Sequence, residues 1–89
     1  TIAAEKRKKE GEWVQAYRDC EPIDFDDVRG EGWVRKTQMK DTYGKRAHVG
    51  KNSQESHFQK WCAHMFEQTK DGATIFVRLQ PEYRGEDYG

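Results

Sequence analysis

Three histidines, two cysteines and a cluster of aspartates are the groups of this 89-residue chain that could ligate a metal, move a proton or act as a nucleophile. Their spacing argues against each. On one helix His57 and His64 would be separated by roughly 10.5 Å along the axis, whereas helical zinc pairs stand four residues apart. Cys62 and His64 are two residues apart and point to different sides of a helix, and no Cys-x-x-Cys occurs. Asp24, Asp26 and Asp27 could pair with a histidine as acid and base, but aspartates in a connector are ordinarily solvated turn formers. Cys62 lies among Phe58, Trp61, Met65 and Phe66, where a thiol is shielded rather than reactive. Gly30-Glu31-Gly32 lacks the third glycine and the strand-loop-helix setting of a phosphate cradle. A chain this small also has little volume for a pocket. The expectation is a non-enzymatic protein with no metal and no cofactor.

What remains is charge. The 16 basic residues balance 16 acidic ones, but they are unevenly placed. Residues 33 to 60 hold seven Lys or Arg against two acids, and residues 21 to 32 hold one against five. Cations interleaved with aromatics suit nucleic acid, the cations meeting phosphates and the rings stacking on bases. On that reading Lys36, Lys40, Lys45, Arg46 and His48 contact phosphate, Tyr43 stacks, and Lys6-Arg7-Lys8-Lys9 adds an electrostatic arm. Set against it are a pI near 6.8 and the ordinary use of lysine to solvate a sheet edge. The alternative is a protein-docking adaptor or inhibitor that engages a larger partner through Asp24, Asp26 and Asp27, or through the tyrosines of the C-terminal segment, since opposed charge patches steer association.

These side chains need a scaffold, and the strongest pattern in the chain supplies part of it. Phe58, Trp61, Cys62, Met65 and Phe66 recur at helical spacing, which predicts an amphipathic helix over residues 52 to 72. Asn52 with Glu55 reads as its N-terminal cap and Gly72 as its C-terminal cap. Trp13, Ala16, Tyr17 and Cys20 form a second helical stripe, placing a helix near residues 3 to 20 that frays over its first ten. Residues 21 to 32 read as an acidic connector, with Ile23 and Phe25 compatible with either a short strand or a helical turn. Residues 33 to 50 read as a basic hairpin turning at Asp41-Thr42-Tyr43-Gly44, with Trp33, Met39, Ala47 and Val49 inward and Lys36, Lys40, Arg46 and His48 outward. Ala73 to Leu79 is β-branched and aromatic, hence a strand, closed by Pro81.

Together these elements predict an α+β domain over residues 1 to 80: a small antiparallel sheet, built from the hairpin and the C-terminal strand, covered on one face by two helices, with residues 81 to 89 a flexible tail. Leu79 is the only leucine, so aromatics must fill the core. Its expected members are Trp13, Tyr17, Trp33, Met39, Val49, Phe58, Trp61, Cys62, Met65, Phe66, Ile75 and Val77. Cys20 and Cys62 fall on apolar stripes and read as buried free thiols rather than a disulfide. No stretch approaches the roughly 20 apolar residues of a membrane span. A soluble intracellular protein is the default, with compartment and oligomeric state open.

Overall fold

Trp13, Val14 and Ala16 are wholly buried one helical turn beyond a run of exposed residues, and they dock the first helix against the rest of the chain. The computed structural model describes residues 2–85. In it α1 spans Ile2–Asp19, β1 Val34–Arg35, α2 Lys36–Ala47 and α3 Lys51–His57. The helical path then continues through a π turn (Phe58–Cys62) and a 3₁₀ turn (Ala63–Met65). β2 (Phe66–Asp71), β3 (Thr74–Leu79) and a single-turn α4 (Pro81–Arg84) complete the order. The strands form one antiparallel sheet in the order β1-β3-β2, so the domain is a small α+β unit.

Strand alternation divides the sheet. Val77 and Leu79 of β3, with Phe66 of β2, join Trp13, Met39, Tyr43, Phe58, Cys62 and Met65 in the main core beneath the helices. On the opposite face Phe76 receives Phe25 edge-on at 5.2 Å, and the Arg78 guanidinium lies 4.5 Å from the Trp33 ring. Residues 23 to 33 therefore fold back over the outer face of the sheet. They close on themselves through a bridge between Ile23 and Trp33, which resolves the Ile23 ambiguity as strand-like. Arg78 fastens this lobe by donating to the carbonyls of Arg29 and Glu31 while pairing with Glu67.

Several expectations are corrected. The segment from 33 to 50 is not a hairpin: only Val34–Arg35 is strand, and the rest is α2. Lys36, Met39 and Tyr43 repeat at helical spacing, and their burial together overrides the turn reading of Asp41 to Gly44. Gly44 is a close-approach glycine within the helix. A Cβ there would collide with the Gln54 side chain and stand 2.7 Å from the Val49 carbonyl oxygen. The helix expected to reach residue 72 ends at Met65, because Phe66 turns extended and the six residues of β2 pair in register with β3. Gly72 has φ +63° in the two-residue turn of this hairpin, and the N-cap of α3 is Gly50 rather than Asn52.

Most of the expected core is buried, with two changes of place. Trp33 packs on the outer face of the sheet and not with Met39, and Ile75 is 41% exposed beside the hairpin turn. Val14, Val34, Tyr43, Phe76 and Leu79 are buried without having been expected. Cys20 and Cys62 are buried and unbonded. Within the expected tail, Pro81–Arg84 is helical and Tyr83 packs against the core, while Tyr88 lies outside the described residues. Gly44→Ala tests the close approach. Despite alanine's better helix propensity, the variant is expected to lose about 1–2 kcal/mol, read as a lowered urea midpoint at unchanged slope.

Candidate nucleic-acid interface

Three residues, His48, Val49 and Gly50, connect α2 to α3. The reversal is tight because His48 adopts the left-handed conformation (φ 57°), which histidine tolerates better than bulkier residues, and because two backbone N–H groups fold back onto the Gly44 carbonyl. Gln54 then donates its side-chain amide to the Val49 carbonyl at 3.2 Å, tying the start of α3 to the turn. Gly44 gives Gln54 the space to do so. The result is a helix–turn–helix unit held by its own short-range contacts.

Charge on this unit is sorted by burial. Lys36 is 8% exposed, with its ammonium 4.6 Å from the Phe58 ring centre and 3.1 Å from Glu55. Lys40 reaches the same carboxylate at 3.2 Å, and Gln59 donates to it at 2.8 Å. Burial pushes the Glu55 carboxyl up, but the Gln59 amide and the two ammonium groups outweigh it and hold the group below the usual range. Glu55 is thus engaged toward α2, and its charge is met by two cations.

The residues singled out from sequence now separate into three sets. Tyr43 is completely buried, its ring stacked 3.9 Å from Trp13 at 9° and its hydroxyl 2.8 Å from His57 Nδ1, so it offers no face to a base. Lys36 and Lys40 belong to the Glu55 cluster. Lys45, Arg46 and His48 are exposed around the end of α2 and the turn, with Arg46 at 3.4 Å from Asp19. They are not on a sheet face: a helix end and a turn bring them together. The lysine-rich run 6 to 9 lies on the first half of α1, where residues 3 to 8 are exposed.

The sequence reading missed the outer surface of α3 and the π turn. Lys51, Asn52, Ser53, Ser56, Gln59 and Lys60 are all exposed there, while Gln54, Phe58 and Cys62 point inward. This surface holds amides, hydroxyls and ammonium groups, with the partly exposed Glu55 carboxylate at its edge beside Gln59. A single acid, Glu55, between Lys51 and Lys60 was the signal available in the sequence.

The acidic candidates lie on the far side of the sheet. Asp27 accepts from Arg29 through both carboxylate oxygens, and these hydrogen bonds hold its carboxyl below the usual range. Asp24 accepts from the Gly32 N–H at 3.3 Å, and Asp26 is exposed. The histidines do not converge: His57 faces Tyr43, and His64 Nε2 meets Glu10 at 3.2 Å. No helix among the described residues is long and apolar enough to cross a membrane.

No family model matches this chain, and no curated protein or solved structure matches it either.

Burial, reinforced by the nearby Glu12 carboxylate, pushes the Tyr43 phenol up to about 12. An unfolded chain ionises this group near 10. The stabilisation is therefore complete below pH 10 and is lost as pH rises from 10 through about 12. Urea midpoints measured at about pH 9 and about pH 11.5 should fall with pH, more steeply than in Tyr43→Phe. The variant keeps a smaller slope from Tyr17, Cys20 and Cys62, which burial also raises.

Proposed function

We propose that this protein is a non-catalytic nucleic-acid-binding module whose contact surface is the helix–turn–helix unit of residues 36 to 62. One observation carries the reading: a three-residue turn, locked by Gly44 and Gln54, presents the polar outer surface of α3, whose one carboxylate is met by Lys36 and Lys40, beside the cations of the α2 end. Helix–turn–helix units are a recurrent means of setting one helix against nucleic acid while its neighbour contacts the backbone. On this reading exposed Lys45, His48 and Lys51 contact phosphate, joined by Arg46 if it exchanges Asp19 for the ligand. Segment 33 to 60 carries five surplus positive charges, and the acidic lobe that balances them packs against the other face of the sheet. Net neutrality of the chain therefore does not cancel the local field.

Protein docking is the second reading, and one observation favours it: Val28 stands fully exposed between Asp27 and Arg29 at the tip of the acidic lobe. Two of its three aspartates already have intramolecular partners, which weakens it as a charged docking surface.

The test is affinity for mixed-sequence oligonucleotides, single- and double-stranded, across a salt series. Three to five phosphate contacts give a log–log slope on the order of −2 to −4.5. Lys45→Ala with Lys51→Ala should make that slope shallower by roughly 2 while leaving the urea midpoint unchanged. Absence of affinity at low salt, with a stoichiometric protein partner captured in a manner that depends on Val28, would replace this reading with the docking one.

A further inference from the structure

The exposed row on α3 and the π turn has a chemistry that phosphate binding alone does not call for. Phosphate contacts need positive charge, and a surface evolved only for them would repeat Lys or Arg. Here Asn52, Ser56 and Lys60 follow one another at intervals of four residues, all exposed. The wider π turn that begins at Phe58 lessens the drift of Lys60 around the helix relative to Ser56. Lys60 is further steadied by the Trp61 ring, 4.7 Å from its ammonium. An amide, a hydroxyl and an ammonium are groups that read base edges: Asn pairs with adenine N6 and N7, Lys with guanine O6 and N7, and Ser with either.

Three further observations choose the ligand. The row from 52 to 60 is roughly 12 Å long at 1.5 Å per residue, and it lies on a single helix, whose bulk fits the B-form major groove. A-form RNA has a major groove too narrow to admit it. Single strands are bound by stacking on exposed rings, but Tyr43, Phe58 and Trp13 are wholly buried, and the partly buried Trp61 already has the Lys60 ammonium over its ring. Gln59, the remaining amide on this surface, donates to Glu55, and Lys36 and Lys40 meet the charge of that carboxylate, which borders the row.

Resting on the nucleic-acid reading above, we infer that the ligand is double-stranded DNA and that Asn52, Ser56 and Lys60 read its base edges in the major groove, giving the protein a sequence preference. The geometry makes the preference specific. Asn52 and Lys60 are separated by about 12 Å of helix, which corresponds to roughly three to four base pairs of rise at 3.4 Å. The bound site should contain an A·T pair and a G·C pair at that separation.

The experiment is selection of the full chain against a pool of duplex DNA with a randomised core, followed by affinity measurements on the enriched duplex, a scrambled duplex, the same sequence as duplex RNA, and its single strands. The expected result is an enriched motif with A and G three to four pairs apart. Asn52→Ala should relax the choice at the A position and Lys60→Ala at the G position, each by roughly 5- to 150-fold in relative affinity, with affinity for the scrambled duplex nearly unchanged in Asn52→Ala. All three positions are exposed, so an unaltered circular dichroism spectrum and urea midpoint should accompany each variant. Binding without enrichment, equal affinity for duplex RNA or single strands, or a motif that survives both substitutions overturns this inference and leaves the general nucleic-acid reading standing. No affinity for any of these probes at low salt overturns both.

Discussion

The Trp13 indole is the joint on which the structure depends. It stacks on Tyr43 of α2 and takes Phe58 of the π turn edge-on at 5.5 Å, so a single ring on α1 touches each limb of the helix–turn–helix unit. A buried indole of this size contributes on the order of 4–6 kcal/mol of gross transfer free energy, comparable with the whole net stability of a small domain. The near-parallel stack also explains why Tyr43 cannot face solvent, and hence why the surface beside it is made of α3 side chains and not of aromatics. Positions of Lys36 and Lys40 follow from the same contact, since rotating α2 to bury Met39 and Tyr43 carries both lysines toward Glu55.

A chain with one leucine and 36% charged residues achieves this by making the sheet do two jobs. Its inner face closes the main core. Its outer face carries a second, smaller aromatic cluster of Phe25, Trp33 and Phe76, capped by the guanidinium groups of Arg29 and Arg78 over rings. This arrangement keeps the acidic lobe ordered through cation–π contacts and hydrogen bonds to Arg78 instead of through aliphatic burial. It also separates part of the charge: Asp24, Asp26, Asp27 and Glu31 lie in the lobe on the outer face of the sheet, and Lys45, Arg46 and His48 lie at the end of α2. Exposed ion pairs such as Arg46 with Asp19 add little to stability, so that separation matters for the field around the molecule more than for the fold.

Elements whose signal was periodic and local were legible. The stripes of α1 and of residues 58 to 65 are where the spacing put them, and the β-branched run at 74 to 79 is a strand. The α+β class followed from these. The hairpin was misplaced because two glycines carry the same local message and opposite structural roles. Gly72 opens the two-residue turn between Asp71 and Thr74, where a positive φ is required; it was read as a helix end because the apolar stripe ran up to Phe66. Gly44 sits in the middle of a helix, where its lack of a side chain admits Gln54 and the Val49 carbonyl. Nothing near Gly44 in sequence reveals that need, since Gln54 is brought there only by the turn.

By itself, the sequence determined the inventory: an aromatic core, two cysteines without a metal-binding pattern, and a basic segment following an acidic one. Those properties depend on residue type and short spacing, which every conformation of the chain shares. The tertiary structure alone decided which of the basic and aromatic residues face outward. Tyr43 and Lys36 were lost to the core, Lys45, Arg46 and His48 were kept, and Asn52, Ser56 and Lys60 were added. The physical reason is that a side chain's exposure on a helix depends on which face the rest of the molecule covers. Here that face was chosen by contacts between residues about 30 to 45 positions apart, above all the burial of one indole between two helical limbs.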